Sequence, residues 1–296
     1  MPHLNRRPSN AHPATLVRPQ IDRLVLRALS EDLGLAGDVT SMAILPPEAS
    51  AFAAMNVREN GIIAGLGVAE AAFELVGDGL SFKSLVSDGE RVKKGQQIAT
   101  ISGNARLIMA AERVALNFLC HLSGIASHTG RFVDAIAGSA AQICDTRKTT
   151  PNLRALEKYA VRCGGGANHR FGLDDAILIK DNHIAISGGV SEAIRAARAF
   201  AGHLVMIEVE VDNIDQLEQA LKAGAGAVLL DNMDVATLSE AVRINRGRAK
   251  LEASGGVDLK KVTAIAKTGV DMISTSKITM AATPLDIGLD IEISAK

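Results

Sequence analysis

Residues 204–231, LVMIEVEVDNIDQLEQALKAGAGAVLLD, decide the fold of the longer part of this chain. The segment opens on an apolar run at 204–209 and closes on a second apolar run at 227–230, with helical spacing of apolar residues between them. Strand, helix and strand in this order make a βαβ unit, whose two strands run parallel and are joined by the crossover helix. The stretch therefore predicts a parallel sheet with helices on its outside.

The same alternation of apolar runs and helical segments extends over the chain from about residue 140. Six short runs are predicted as strands, at 142–144, 176–179, 204–209, 227–230, 250–253 and 271–273. Repeated strand-helix units with apolar strands are typical of α/β folds. Because eight strands close a complete barrel and this chain supplies six, we expect a partial (β/α) barrel.

The residues before position 118 follow another pattern. Helical spacing predicts a first helix over 21–33, and short runs broken by Gly and Asp-Gly between 51 and 103 predict an α+β region with mainly antiparallel strands. Asn104 is a helix-capping residue, and the long helix after it is expected to join the two halves. The tail over 285–293 alternates strictly, which predicts a strand that returns to the first sheet.

Together these patterns predict an α/β protein with two domains. An α+β domain would comprise 20–117 and 285–296, and the partial barrel would comprise 118–284. Residues 1–19 are rich in Pro, Arg, Asn and His and are interpreted as a flexible arm. The first domain would therefore be discontinuous in sequence.

The composition excludes several classes of function. Lys and Arg number 32 against 33 Asp and Glu, so the net charge is −1 and no general field attracts nucleic acid or anionic lipid. The chain has no Trp and one Tyr, and so lacks the aromatic platforms that bind single-stranded nucleic acid. No apolar stretch approaches the length of a membrane span. Three widely spaced cysteines form no disulfide or metal motif and predict reduced thiols in a cytoplasmic protein.

Polar residues follow each predicted strand of the barrel. In a parallel barrel the carboxyl ends of the strands meet at one face, and the active site lies there. Cationic residues follow the first two strands or lie in the Gly-rich loop between them: Arg147, Lys148, His169, Arg170 and Lys180. Because the overall charge is near zero, this local excess of positive charge predicts a pocket for an anion with several carboxylate or phosphate groups.

Two further groups at the same strand ends indicate metal and phosphate chemistry. Glu208 and Asp231 on adjacent strands offer hard oxygen ligands, which predicts a Mg²⁺ ion held by these carboxylates and by substrate phosphates. The last two strand-to-helix turns are expected to bind phosphate through backbone amides and helix N-termini. These turns contain Ser254, Gly255, Gly256, Ser274, Ser276 and Lys277.

Several long motifs are similar to those of one known family. They are DTRKT at 145–149, EKYAV at 157–161, GGG at 164–166, NHR at 168–170, KDNH at 180–183 and EASGG at 252–256. With these motifs the chain closely resembles quinolinate phosphoribosyltransferase, also called carboxylating nicotinate-nucleotide pyrophosphorylase. The resemblance covers nearly all of the chain after the N-terminal arm.

The resemblance implies a fold, an activity and an assembly. The fold is an N-terminal open-faced α/β sandwich with a C-terminal partial barrel, and the assembly is a homodimer or higher homo-oligomer with active sites at the subunit interface. The implied reaction joins quinolinate to phosphoribosyl pyrophosphate with loss of CO2. It gives nicotinate mononucleotide and pyrophosphate in NAD biosynthesis, with Mg²⁺ as the cofactor.

Carried onto the matching positions, the resemblance also implies roles for single residues. It makes Arg113, Arg147, His169, Arg170 and Lys180 the quinolinate ligands. It makes Lys148, Glu208 and Asp231 the catalytic residues on the phosphoribosyl and Mg²⁺ side. The chain departs from the family pattern at residues 274–279, where Ser276 stands in place of an expected glycine.

Two alternatives from different classes stay open at the level of sequence. One is the molybdenum-locus paralogue of the family, with another anionic substrate, and the NHR motif with Lys180 favours the biosynthetic enzyme over it. The other is a non-catalytic anion-binding protein that kept the barrel. The carboxylates of Glu208 and Asp231 argue against this second alternative, because a mere binder needs no metal.

Overall fold

The computed structural model of the chain describes residues 16–292. Within them the chain divides into two compact units. The N-terminal unit comprises residues 16–130, 155–165 and 282–292, and the barrel unit comprises residues 131–154 and 166–281. Residues 1–15 of the predicted arm and residues 293–296 of the predicted first domain lie outside the described residues.

The observed division differs from the predicted one in two places. The change between units falls after Gly130 rather than after residue 117. Both positions lie inside one helix of 31 residues. Residues 155–165 belong to the N-terminal unit, where the Tyr159 hydroxyl donates to Asp88 (2.7 Å) and Glu157 lies 2.9 Å from Nε2 of His121. The capping residue Asn104 predicts where the long helix starts, but it does not indicate where the first unit ends.

The N-terminal unit combines antiparallel strands with helices. Its helices are α1 (Arg18–Leu33), α2 (Val39–Ile44), α3 (Leu66–Leu75), α4 (Ala105–Ala135, whose last residues fall in the barrel unit) and α5 (Arg154–Cys163). Its strands are β1 (Ser50–Val57), β2 (Gly61–Ile62), β3 (Ser81–Ser84), β4 (Arg91–Val92), β5 (Gln97–Asn104) and β12 (Ile287–Glu292). Four strands form a sheet in the order β12-β1-β5-β3, and β2 pairs with β4.

The tail of the chain completes this sheet. Strand β12 lies antiparallel to β1, with Ile287 opposite Val57 and Leu289 opposite Met55. In β1, Ala53 and Met55 are fully buried and alternate with more exposed residues, as expected for a strand with one face in a core. The predicted return of the tail to the first sheet is confirmed.

The barrel unit forms one six-stranded parallel sheet with helices between most of its strands. The strands are β6 (Gln142–Cys144), β7 (Ile177–Ile179), β8 (Ile207–Val211), β9 (Ala227–Asp231), β10 (Lys250–Ser254) and β11 (Met272–Ser274). The helices are α6 (Asp181–Ser187), α7 (Val190–Phe200), α8 (Ile214–Lys222), α9 (Val235–Asn245), α10 (Val262–Ala266) and α11 (Lys277–Met280). The order β6-β11-β10-β9-β8-β7 places the first strand beside the last, which confirms the predicted partial barrel.

The unit formed by β8, α8 and β9 shows how the sequence produces this architecture. In β8, fully buried Val209 and Val211 alternate with Glu208 and Glu210, so the two carboxylates share the other face of the strand. Helix α8 starts at a cap in which the Asn213 side-chain oxygen accepts the backbone N–H of Gln216 (2.9 Å). The cap fixes the start of the helix that returns the chain to the next parallel strand.

The predicted strand at 204–209 is placed too early in the sequence. Strand β8 begins at Ile207, and the side chains of Leu204 and Met206 are 87% and 60% exposed. Apolar character alone does not distinguish a buried strand from the exposed segment that leads into it.

Among residues 16–292, no helix combines the length and the hydropathy needed to span a bilayer, and this includes the 31 residues of α4.

Candidate active site

A cavity of about 680 Å³ lies at the carboxyl ends of the barrel strands. Its walls come from residues of strands β7 to β11, from the residues that follow β6, β7, β9, β10 and β11, and from the segment before β7. Most of the predicted site residues line it: Arg147, Lys148, His169, Arg170, Lys180, Asp231, Ser254, Gly255, Gly256, Ser274, Ser276 and Lys277. The parallel topology thus gathers side chains that are far apart in sequence.

Two arginines in the cavity carry buried donors without a partner. The Nε atoms of Arg147 and Arg170 are both buried and have no hydrogen-bond partner in the protein. Burial and the neighbouring Arg147 lower the pKa of the Arg170 guanidinium from its ordinary value. Since a buried N–H without an acceptor is costly, these two groups favour an anionic ligand that supplies oxygen atoms.

Three carboxyl groups line the same cavity, those of the buried Glu252 and of the less buried Glu210 and Asp231. Glu210 lies on β8 and its Oε2 is 2.9 Å from Nζ of Lys180. Asp231 ends β9, and its Oδ2 accepts a hydrogen bond from the Asn232 side-chain amide (2.7 Å). The cavity therefore offers cationic donors on one set of strands and hard oxygen ligands on neighbouring strands.

The turn after β10 is shaped for close approach of a ligand to the backbone. Gly255 and Gly256 have φ angles of +95° and +59°, a region that side-chain-bearing residues rarely adopt. A Cβ at Gly255 would also collide with the Asn232 side chain. The turn contributes backbone amide groups to the wall, as phosphate-binding turns in barrels do.

The turn after β11 tolerates the serine that stands in place of an expected glycine. Ser276 has φ −76° and ψ −13°, an ordinary helical conformation, and its carbonyl accepts the N–H of Met280 (2.8 Å). The Lys277 ammonium lies 3.7 Å from a carboxylate oxygen of Asp258 at the rim. The serine therefore causes no backbone strain at this position.

Comparisons with known proteins agree with this geometry. The family model for the C-terminal domain of quinolinate phosphoribosyl transferase matches residues 125–290, and the model for the N-terminal domain matches residues 38–123. Together they cover most of the chain. The chain belongs to the quinolinate phosphoribosyltransferase family.

Individual relatives extend over nearly the whole length of this family member. A nicotinate-nucleotide pyrophosphorylase [carboxylating] of Mycobacterium leprae is 46% identical over 272 residues, which is 90% of this chain and 95% of the relative. A probable enzyme of the same name from Bacillus subtilis is 42% identical over 275 residues, or 93% and 94% of the two chains. The solved nicotinate-nucleotide pyrophosphorylase of Francisella tularensis superposes with a TM-score of 0.90 at 39% identity, over 94% of this chain and 98% of that one.

Two residues predicted for the site of this phosphoribosyltransferase family member lie elsewhere. Arg113 is an exposed residue of α4 in the N-terminal unit and is not among the residues that line the cavity. Glu208 is also absent from its wall, and Glu210 occupies the corresponding place beside Lys180. The structure thus places Glu210, and not Glu208, with Asp231 at the cavity wall. Glu208 and Glu210 share one face of β8, but Glu210 is nearer the carboxyl end, where the cavity lies.

Asp145 contributes to the site although the sequence analysis gave it no role. Its carboxylate is fully buried directly after β6. One oxygen accepts the backbone N–H of His169 (2.8 Å), and the other accepts the side-chain amide of Asn168 (2.6 Å). Its position immediately after a buried strand was the signal in the sequence that could have identified it.

Glu252 is a buried acid in the wall of the cavity. Burial and the neighbouring Glu208 raise its pKa to about 7, although His169 and a hydrogen bond from Ser274 act in the opposite direction. Because the pKa in the folded protein lies above the ordinary value of 4.5, the native state holds a proton between these pH values that the unfolded chain releases. The contribution of Glu252 to stability therefore falls as the pH rises through this window.

We expect the substitution Glu252→Gln to increase the stability of the protein, relative to the wild type, more at pH 8 than at pH 5. At pH 5 the native acid is neutral like the amide, whereas at pH 8 the wild type must keep a buried carboxylate ionised. The difference in unfolding free energy between variant and wild type should grow by up to about 3 kcal/mol over this range. Denaturant unfolding at both pH values measures it, and an equal difference at pH 5 and pH 8 would contradict the shift.

Proposed function

We propose that this protein transfers the phosphoribosyl group of phosphoribosyl pyrophosphate to quinolinate, with loss of CO2, and gives nicotinate mononucleotide and pyrophosphate for NAD biosynthesis. One observation carries the proposal: the buried, unpartnered Nε donors of Arg147 and Arg170 share a cavity with the carboxylates of Glu210 and Asp231. The cationic part suits a dicarboxylate, and the anionic part suits a metal-bound pyrophosphate. The names of the relatives agree with this activity.

Quinolinate, a planar dianion, would bind to the cationic part of the cavity. The guanidinium groups of Arg147 and Arg170 offer paired N–H donors, which match the two oxygens of a carboxylate. Lys180 adds a compact charge and is already held by Glu210 at 2.9 Å. The resemblance adds His169 and Arg113 to this set.

Phosphoribosyl pyrophosphate would occupy the opposite wall. Ser254, Gly255 and Gly256 offer a hydroxyl group and backbone N–H groups to a phosphate, and Ser274, Ser276 and Lys277 do so from the next turn. Lys148 is exposed beside them, and its flexible side chain can keep its positive charge near the pyrophosphate as it leaves. Together these groups neutralise the most highly charged part of the substrate.

The residues present also fit a Mg²⁺ ion. Glu210 and Asp231 give two hard oxygen ligands at one wall of the cavity, and Mg²⁺ is commonly held by one or two carboxylates plus substrate phosphates. When bound, the ion would neutralise negative charge that develops on the pyrophosphate. We therefore assign the metal to Glu210 and Asp231 and not to Glu208.

The side chains of the cavity act mainly by position and charge. They align the pyridine nitrogen with C1 of the ribose, so that the new C–N bond forms as the bond to the pyrophosphate oxygen breaks. When the neighbouring carboxylate then leaves as CO2, the electron pair of the broken C–C bond stays on the ring carbon, where the adjacent positive nitrogen stabilises it, and this carbon takes up a proton. Arg147, Arg170 and Lys180 hold the remaining carboxylate during these steps.

We further propose that the protein works in the cytoplasm as a homodimer or a higher homo-oligomer. The three cysteines are free thiols, as expected in a reducing compartment. The assembly is supported by Arg113, which the resemblance assigns to substrate although it is exposed on α4 and does not line the described cavity. A second copy of the chain can supply this arginine.

The activity is tested by one incubation with quinolinate, phosphoribosyl pyrophosphate and Mg²⁺, followed by detection of nicotinate mononucleotide. Nicotinate should be a poor substrate in the same assay, because its single carboxylate leaves part of the cationic set buried and unpaired. We expect kcat/KM for quinolinate to exceed that for nicotinate by about a hundredfold or more. Similar values for the two acids would rule out recognition of a dicarboxylate.

The same assay separates the two alternatives. A paralogue with another substrate would bind phosphoribosyl pyrophosphate but leave quinolinate unchanged. A non-catalytic protein would bind anions without turnover. The pair of Glu210 and Asp231 at the cavity wall argues against the non-catalytic protein, since an anion-binding site gains nothing from two carboxylates.

A further inference from the structure

A buried layer at the base of the cavity has a different task from the exposed groups of its walls, although two members of the layer, His169 and Glu252, also line the cavity. His169, Glu208 and Glu252 place one imidazole nitrogen and two carboxylate oxygens within 4.8 Å of one another. On the other side of this layer lies a second cavity of about 340 Å³, whose walls include Ile177, Met206 and other apolar residues. The three polar side chains thus separate the substrate cavity from a largely apolar one.

Both ring nitrogens of His169 have partners within the protein. Nδ1 accepts the backbone N–H of Arg170 (2.8 Å), and Nε2 lies 3.0 Å from Oε2 of Glu208. Since Nδ1 is an acceptor, the proton of the neutral ring is on Nε2 and is donated to the carboxylate. The contacts therefore define one tautomer.

The same contacts argue against a metal ion in this layer. An ion on Nε2 would require the ring proton to move to Nδ1, and the hydrogen bond from the Arg170 amide would be lost. The charge of Arg147 lowers the pKa of the Arg170 guanidinium, and the charge of Glu208 acts in the opposite direction. Added positive charge is unfavourable beside them.

Glu252 supports the ring from a second direction. Its Oε1 is 3.8 Å from Nε2 of His169, is buried and has no hydrogen-bond partner, while Ser274 donates to its carboxyl group. In its ionised form, a carboxyl group held at this distance adds negative potential on the Nε2 side of the ring. Glu208 and Glu252 thus both favour a ring that carries its proton on Nε2.

The held ring in turn determines the course of the chain at Arg170. Asp145 accepts the N–H of His169, the ring of His169 accepts the N–H of Arg170, and Nη1 of Arg170 donates to the carbonyl of Ala176 (3.0 Å). Two successive backbone amides and one guanidinium nitrogen are fixed in this way. The remaining donors of Arg170, including its unpartnered Nε, stay available in the site.

We propose that Glu208 and Glu252 are positioning residues, which hold His169 as the Nε2–H tautomer so that the ring orients Arg170 toward a carboxylate of quinolinate. His169 then acts through its hold on Arg170, and Glu208 acts through His169 and not through a metal. This inference rests on the proposed function, because it takes quinolinate as the ligand of Arg170.

The kinetic experiment uses the full-length variants Glu208→Gln and Glu252→Gln. An amide at either position can turn its NH2 group toward Nε2, which weakens the preference for the Nε2–H tautomer. We expect the KM for quinolinate to rise about tenfold or more, the usual effect of removing a residue that orients a binding group. The KM for phosphoribosyl pyrophosphate and the Mg²⁺ concentration for half-maximal rate should change by less than about twofold. A larger change in these two values than in the KM for quinolinate would return Glu208 to the metal site and overturn the proposal.

Glu157→Gln is the matched control for these variants. Glu157 is a buried glutamate that lies 2.9 Å from a histidine nitrogen, and the corresponding distance for Glu208 is 3.0 Å. It belongs to the N-terminal unit and does not line the cavity. The same substitution there should leave the KM for quinolinate near the wild-type value. A rise equal to that in Glu208→Gln would mean that any buried glutamate has this effect, and the proposal would fail.

The tautomer itself is measured by NMR of protein labelled with ¹⁵N-histidine, and His169→Asn assigns the signal. We expect wild-type His169 to carry its proton on Nε2 alone, and the double variant Glu208→Gln/Glu252→Gln to show a second tautomer. A wild-type ring protonated on Nδ1 would overturn the proposal, and this result does not depend on folding of the glutamine variants. Calorimetry with quinolinate distinguishes a failure of the proposed function from a failure of the role assigned to the two glutamates. A wild type that bound none would refute the proposed function, while the tautomer would still decide whether the two glutamates hold the ring.

Discussion

Replacement of Asp231 by alanine should lower kcat by about a hundredfold or more and leave the affinity for quinolinate close to that of the wild type. The carboxylate ends β9 at the cavity wall and is assigned, with Glu210, to the Mg²⁺ that accompanies the pyrophosphate. Removing a group that stabilises charge as it develops in the transition state costs about 10²- to 10³-fold in kcat. Steady-state kinetics gives kcat, and calorimetry with quinolinate alone gives the affinity.

Two substitutions make this result specific. Asp231→Asn keeps the size of the side chain and should still be strongly impaired, because the uncharged amide is a poorer ligand for Mg²⁺ than a carboxylate. Asp234→Asn, three residues later, changes an exposed aspartate that caps α9 through the N–H of Thr237, and asparagine also caps helices well. This control should keep nearly full turnover. Near-normal kcat in Asp231→Ala would remove Asp231 from the metal site.

Mixing two inactive variants, Arg113→Ala and Lys148→Ala, should restore activity at about a quarter of all active sites. The resemblance places Arg113 in the substrate site, yet it is exposed on α4 and absent from the cavity wall, whereas Lys148 lines the cavity. If a second subunit supplies the arginine, each homodimer of either variant has two defective sites and should be nearly inactive. A mixed dimer has one site with both residues intact, and random exchange makes about half of the dimers mixed.

The control for this experiment pairs Lys148→Ala with Arg147→Ala. Both residues line the cavity of the same unit, so every site in every mixture keeps one lesion and no activity should return. Activity is measured after mild dissociation and reassociation, with each variant alone treated in the same way. If Arg113 served its own barrel, the first mixture would behave like this control, and the shared site would be disproved.

The barrel was predictable from sequence because its strands are defined by local apolar runs. The predicted strand at 142–144 coincides with β6, and those at 227–230 and 250–253 lack only the last residue of β9 and β10. Most site residues were also predictable, because parallel strands bring their carboxyl ends to one face whatever their order in the sheet. The prediction was weaker at Leu204 and Met206, whose apolar side chains are exposed.

The tertiary structure decided which of Glu208 and Glu210 reaches the cavity wall. Both side chains lie on the same face of β8, so alternation along the strand treats them alike. They differ in depth: Glu210 reaches the cavity beside Lys180, and Glu208 contacts His169 beneath it. Depth depends on where each strand ends relative to its neighbours, and no single strand contains that information.

The sequence by itself determined the order of strands and helices, the motifs that place the chain in its family, and the collection of cationic and acidic residues at one end of a sheet. The tertiary structure alone decided that residues 155–165 belong to the N-terminal unit and that both nitrogens of His169 are occupied. Apolar periodicity, caps and glycines act over a few neighbouring residues, and a sequence displays them directly. Which buried donor meets which acceptor depends on residues far apart in the chain, and only packing brings them together.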